Sequence, residues 1–153
     1  MGINTPASAA PSRAPAGSDA ALAVYVLATT PIGTQAALLA AADYAAGLDA
    51  RIVLLCPHVV SFAASMEDSA TPALREAERL GQIARGIDVR VDILSVLCRT
   101  EGDAAAHLPA DALILAGGTG GRFWPGAVER RVTRLQRAGY QAIFIRVPLG
   151  PGG

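Results

Sequence analysis

The chain has 153 residues, of which 52% are hydrophobic and 17% charged, so its length fits one domain with ample material for a buried core. Its 13 basic and 13 acidic residues cancel, which excludes a general electrostatic attraction to nucleic acid. All the basic residues are arginine, so a Schiff-base lysine and a lysine phosphate clamp are excluded as well.

The two ends of the chain differ in composition from the rest. Residues 1–20 are rich in Ala, Pro and Ser, so we predict a disordered tail there, and residues 148–153 predict a second, flexible tail. We do not expect a secretory signal there, because no apolar run follows a basic segment. No run reaches the roughly 18 apolar residues of a membrane helix. Since Cys56 and Cys98 form no CxxC motif, we expect a reduced, cytoplasmic protein.

Between the tails, short apolar runs alternate with longer segments rich in helix formers. The run at 21–28 predicts a buried strand, and 34–49 predicts a helix that ends near Gly47. Residues 51–62 predict a second strand and 72–86 a second helix. The first half of the chain is therefore a strand–helix–strand–helix segment.

The second half continues this alternation. It predicts a strand at 89–97, a short helix at 101–111, a strand at 111–117, a helix at 125–139 and a strand at 140–147. Continuous apolar strands separated by helices are typical of a parallel sheet covered on both faces. We therefore predict a single, doubly wound α/β domain over residues 21–147. Right-handed crossovers limit the topology but leave the strand order open.

A ligand site is predicted where two strand-end loops meet. In a doubly wound sheet, ligands bind beyond the carboxyl ends of the strands, where the strand order reverses. This places loop 28–33 and the glycine-rich loop 117–126 at the site. Glycine amides ahead of a helix can form an anion-binding nest, whereas the alternative is a corner that only turns the chain. The candidate nucleotide-binding residues are Thr29, Thr30, His58, Gly117, Gly118, Thr119, Gly120, Gly121, Arg122 and Gly126.

Several better-defined motifs are absent from the sequence. The dinucleotide fingerprint fails because Phe123 stands where its third glycine belongs, and the P-loop ending G-K-[ST] is missing. A response-regulator receiver domain is excluded by the lack of lysine and of an acidic cluster after the first strand. His58 and His107 have no metal-ligand spacing, and no serine lies in a G-x-S-x-G context. We therefore expect neither a catalytic residue nor a metal.

The order of the remaining motifs resembles that of the universal stress protein family. Strand two ends in 55-LCPHVV-60, strand four is 111-DALILAG-117 with a glycine-rich loop and helix after it, and the last strand contains 142-AIFIRV-147. The resemblance covers residues 21–147. It implies five parallel strands in the order 3-2-1-4-5, with helices on both faces of the sheet, and a bacterial stress-response protein.

Members of that family that bind ATP carry G-x2-G-x9-G-[ST] after strand four and an acidic residue after strand one. Gly117 and Gly120 match the first half, but five residues rather than nine precede Gly126, and Ala127 lacks the hydroxyl. Strand one also lacks the carboxylate. The resemblance thus implies a regulatory or protective binding module with a degenerate nucleotide site and no certain cofactor. The alternative is a stress switch that binds ATP or a related adenine nucleotide through Gly117–Gly121.

The resemblance also implies a homodimer formed through the last strand. The candidate interface residues are Tyr140, Ala142, Phe144 and Arg146. An apolar edge strand favours pairing with a second copy of the same chain. An unidentified protein partner is a further expectation, whereas nucleic acid and membrane partners are not expected. The arginines of helix 125–139 are interpreted as a solvated face.

Overall fold

Strands and helices alternate along the chain as predicted. The computed structural model describes residues 22–63, 65, 67–68, 70–121 and 123–148, so both predicted tails lie almost entirely outside the described residues. The elements in chain order are β1 (Ala23–Leu27), α1 (Pro31–Leu48), β2 (Arg51–Val59), α2 (Ala70–Gly86), β3 (Asp92–Cys98), α3 (Glu101–Ala105), β4 (Leu113–Gly118), α4 (Ala127–Arg137) and β5 (Gln141–Arg146).

The five strands form one parallel sheet in the order β3-β2-β1-β4-β5, which confirms the predicted order 3-2-1-4-5. At its centre, Val26 stands opposite Leu54 on one side and Leu115 on the other, and all three are fully buried. This burial explains why the strands are continuous apolar runs rather than alternating ones. The strand order reverses between β1 and β4, so a ligand crevice is expected at their carboxyl ends.

Helices cover both faces of the sheet, as predicted. One core cluster joins α1 and α2 to the sheet through residues such as Leu38 and Leu80. The other lies on the opposite face and includes Leu55, Ile114 and Val132 of α4. Val128 and Leu135 of α4 pack against this second cluster, so one side of α4 faces the sheet.

Helix α1 begins three residues earlier than predicted. The Thr30 side chain accepts a hydrogen bond from the Gly33 amide at 3.1 Å and so caps the helix. Pro31 occupies the first helical position, where its missing N–H has no cost. Segment 28–33, interpreted from the sequence as a loop, therefore contains the first turn of α1.

Helix α3 is much shorter than the predicted 101–111. A capping box between Thr100 and Asp103 starts it, but the amides of His107 and Leu108 bond to carbonyls only three residues back. Pro109 has no N–H to donate to the Ala105 carbonyl and disfavours the helical conformation of Leu108, so the helix could not continue to residue 111. Within the described part of the chain, the helices on this face of the sheet are therefore the short α3 and the longer α4.

Candidate functional site

The two loops at the point of strand reversal are in direct backbone contact. A Cβ atom placed on Gly33 would collide with the carbonyl oxygen of Gly117, and one on Gly117 would collide with that of Gly33. The hydroxyl of Thr29 also donates a hydrogen bond to the Gly117 carbonyl at 2.7 Å. The start of α1 and the end of β4 thus meet where a crevice between them was expected.

The threonine hydroxyls of the first loop are engaged within the protein. Thr29 uses its hydroxyl on Gly117, and Thr30 uses its own to cap α1. The amide of Thr29 donates to the hydroxyl of Thr34 at 2.9 Å, and Thr34 is fully buried. A phosphate at this position would have to replace these internal hydrogen bonds rather than meet free hydroxyls.

The glycine-rich loop holds an anion of its own. The amides of Gly121 and Gly126 both donate to Oε1 of Glu129, at 3.0 and 2.9 Å. Gly126 is the N-cap of α4 and Glu129 its third residue, so the carboxylate also lies at the positive end of the helix dipole. These amide hydrogen bonds, first that of Gly126 and then that of Gly121, lower the pKa of Glu129. Of these two amides, that of Gly121 belongs to the Gly117–Gly121 nest expected from the sequence, and its acceptor is a side chain of the protein itself.

Arg146 covers the other side of the same loop. Its guanidinium lies against Gly120, where any Cβ atom would collide with it. Its Nη2 atom is 3.8 Å from Oε2 of Glu129, and its side chain is 60% exposed. The arginine thus adds a positive charge beside the carboxylate that the loop amides hold.

The remaining loop residues point outward or support the turn. A Cβ on Gly121 would collide with the carbonyl of Trp124, so a tight turn between them requires glycine. Phe123 and Trp124 are 83% and 81% exposed, which leaves an aromatic pair on the surface. Thr119 is exposed, Gly118 packs against Val128 of α4, and Arg122 lies outside the described residues.

His58 lines a separate, small pocket at the ends of β1 and β2, together with Thr29, Cys56 and Glu76. Its volume is about 150 Å³, below the roughly 300 Å³ of ordinary ligand pockets. Burial, with a smaller contribution from Glu76, raises the pKa of the Cys56 thiol to about 12. The thiol is therefore protonated at neutral pH and cannot act as a nucleophile there.

The structure thus brings together part of the predicted nucleotide site. Thr29, Thr30 and Gly117 share one hydrogen-bonded junction, and Gly120, Gly121 and Gly126 share the loop around Glu129. His58 shares the small pocket with Thr29. The residues that sequence reasoning missed are Gly33, Thr34 and Glu129.

The candidate dimer residues have partners within the chain. Tyr140 donates its hydroxyl to the Ala105 carbonyl at 3.0 Å, and Ala142 is buried. Phe144 packs against the α3–α4 core, and Arg146 lies over its ring at 6.0 Å. These side chains point to one face of the sheet, so the outer edge of β5 presents backbone rather than these side chains to a partner.

Within the described residues, no group of three or more His, Cys, Asp and Glu side chains is placed to hold a metal ion. None of the described helices combines the length and the apolarity needed to cross a bilayer. The fold and its switch-point loops define a doubly wound α/β domain with a Rossmann-like sheet. Comparison with models of protein families, with curated proteins and with solved structures gave no significant match.

Proposed function

We propose that the chain is a cytoplasmic regulatory or protective module of the universal stress protein type, which binds partners and whose nucleotide site is degenerate. The observation that carries this proposal is the Glu129 carboxylate held by the amides of Gly121 and Gly126. A phosphate group would need the same donors, and it would meet like charge there. Cys56 and Cys98 are both buried, which suits the reducing cytoplasm.

The contact between α1 and β4 supports the same proposal. Gly33 and Gly117 approach so closely that no side chain fits between them, and Thr29 bridges the junction. Room for a nucleotide would require these two elements to separate. The exposed pair Phe123 and Trp124 instead offers apolar area on the loop surface for a partner.

The test is titration of the protein with MgATP, followed by calorimetry and by fluorescence. Trp124 is the single tryptophan of the chain and lies in the loop, so its emission reports directly on any ligand there. We expect neither heat nor a change in emission at millimolar ATP. Low-micromolar binding that disappears when Gly120 is replaced by valine would instead establish the adenine-nucleotide switch.

Two variants test whether the Gly121 and Gly126 amides could bind an external anion if Glu129 did not occupy them. Glu129→Gln keeps an oxygen that can accept from Gly121 and Gly126, whereas Glu129→Ala leaves these amides without their acceptor. We expect inorganic phosphate to protect Glu129→Ala against thermal unfolding and to leave the wild type and Glu129→Gln unchanged. Equal protection of all three proteins would mean that the carboxylate does not occupy a phosphate position.

We propose further that the chain forms a homodimer through the outer edge of β5. The Val147 amide donates to Gly118 of β4 at 2.9 Å, so the Arg146 amide points away from the sheet. Gln136 partly covers this edge, because its Nε2 atom donates to the Ala142 carbonyl at 2.8 Å. The remaining outward backbone groups could pair with a second copy.

Light scattering at tens of micromolar tests this second proposal. We expect a dimer mass for the wild type and for Arg146→Ala, which keeps the outward amide, and a monomer for Arg146→Pro, which removes it. A monomer mass for the wild type would refute the edge-strand dimer and would leave the proposal on the degenerate nucleotide site untouched.

A further inference from the structure

A cavity of about 370 Å³ lies between α3 and α4, on the face of the sheet away from α1. Its floor is formed by Leu27, Leu55 and Ile114 from three neighbouring strands. It lies where α3 ends, at Ala105, and the residues that α3 contributes to its wall are small. Its volume falls within the roughly 300–1,000 Å³ of ordinary small-molecule sites.

The wall of the cavity combines small apolar residues with two guanidinium groups. The α3 side contributes alanines, including Ala104 and Ala105, which leave room rather than fill it. The α4 side contributes Arg131 and Arg134, one turn apart on the same face of the helix. Among the residues that line the cavity in the described chain, these two arginines are the charged ones.

The two arginines differ in burial, as expected for residues at the opening of a cavity. Arg131 is half-buried, whereas Arg134 is exposed, so the positive charge runs from inside the cavity to solvent. Each guanidinium has five N–H donors in a planar fork, which allows it to hold a carboxylate beside its other contacts. An apolar floor with cationic groups at its opening is complementary to a ligand with an apolar chain and an anionic head.

We propose that the α3–α4 cavity binds an amphipathic carboxylate of the fatty-acid type. The hydrocarbon chain would lie on Leu27, Leu55 and Ile114, and the carboxylate would lie at Arg131 and Arg134. A nucleotide fits this cavity poorly, because its base would place polar ring atoms on the apolar floor of Leu27, Leu55 and Ile114. The proposal concerns the face opposite α1 and α2, and it does not depend on the state of the glycine-rich loop.

The experiment uses the fluorescent dye anilinonaphthalene sulfonate and measures its displacement from the protein by decanoate. Decanol, a neutral ligand of equal chain length, is the comparison. We expect wild-type protein to bind the dye and to release it to decanoate about tenfold more readily than to decanol. That ratio corresponds to one charge-assisted hydrogen bond of about 1.4 kcal/mol. Decanol as effective as decanoate, or no displacement at all, would overturn the proposal.

Variants locate the site. Arg131→Gln and Arg134→Gln should each weaken displacement by decanoate about threefold, so that the two together account for the tenfold ratio, and should leave displacement by decanol unchanged. The matched control is Arg137→Gln, on the same helix but away from the cavity wall, which should leave both ligands unchanged. An equal loss in Arg137→Gln would mean that helix charge in general, and not this site, attracts the anion.

A second kind of variant tests the cavity itself. Ala105→Leu places a larger side chain into the space and should abolish displacement by both ligands. Because Ala105 is buried and this change could disturb folding, Ala138→Leu at the exposed end of α4 provides the same test with less risk. Unchanged displacement in a folded Ala138→Leu protein, as judged by its thermal unfolding, would contradict the placement of the ligand.

Discussion

Replacement of Gly33 by alanine should destabilise the protein, although alanine is the better helix former. Gly33 lies in the first turn of α1, where the change alone would contribute up to about 1 kcal/mol of helix stability. The added Cβ, however, would collide with the Gly117 carbonyl and stand 2.7 Å from Oγ1 of Thr29. Because Gly117 belongs to a buried strand, it cannot move away as a flexible side chain could.

The magnitude follows from three opposing contributions. Overpacking of a well-packed interior costs about 1–3 kcal/mol, and loss of the hydrogen bond from Thr29 to Gly117 adds about 1 kcal/mol. The gain in helix propensity offsets about 1 kcal/mol. The free energy of unfolding should therefore fall by about 1–3 kcal/mol, and a loss of 2 kcal/mol lowers Tm by roughly 8 °C in a domain of this size.

The same helix provides the control. Gly47 has no atom within 4 Å of the place where its Cβ would lie, so Gly47→Ala should gain the propensity without a collision. We expect its Tm to rise by roughly 2–4 °C, opposite in sign to Gly33→Ala. The two midpoints are measured by circular dichroism under one set of conditions. If Gly33→Ala is as stable as Gly47→Ala, α1 and β4 are not in contact, and the crevice is open to a ligand.

Three further predictions rest on the site and the core. The pKa of Cys56 is about 12, and Cys98 is also buried. Neither thiol should therefore react with Ellman's reagent in the native protein, whereas both should react in urea. Rapid labelling of the native protein would contradict this burial. The lowered pKa of Glu129 stabilises the fold above its unfolded value of 4.5, and this stability is lost as the pH falls through the folded value. Glu129→Gln should thus lower the urea midpoint of unfolding at neutral pH and have little effect on it in strong acid. An equal effect at the two pH values would mean that the ionised carboxylate is not the source of the stabilisation. Trp124 is 81% exposed, so acrylamide should quench its emission nearly as well as that of free tryptophan.

The fold was predictable because its information is local. Continuous apolar runs gave the parallel strands, and the motif order with its family resemblance gave the strand order. The ends of helices were less well predicted. Thr30 followed by Pro31 is a start signal that was available in the sequence. The helix predicted at 101–111 ends at Ala105, ahead of Pro109.

The position of the candidate site in the fold was predictable, but its contacts were not. The glycines after β4 do form a loop ahead of a helix, yet the group that they hold is Glu129, which looked like an isolated acid among arginines. Its position three residues after Gly126 is the capping-box spacing and could have revealed it. The contact of Gly33 with Gly117 had no such signal, because neither residue has a side chain and they are distant in sequence. The α3–α4 cavity likewise follows from a helix length that only the structure defines.

The Glu129 carboxylate acts as a ligand that is tethered to its own binding site. An external anion would have to compete with it for the amides of Gly121 and Gly126. A carboxylate attached to the same helix cannot diffuse away, so its effective concentration at the Gly121 and Gly126 amides does not fall when the protein is diluted. A free phosphate must exceed this fixed local concentration before it can exchange with the carboxylate. We therefore expect the loop to respond little to ordinary changes in phosphate or nucleotide concentration. Acidification, which protonates Glu129, is the condition that we expect to release its amides.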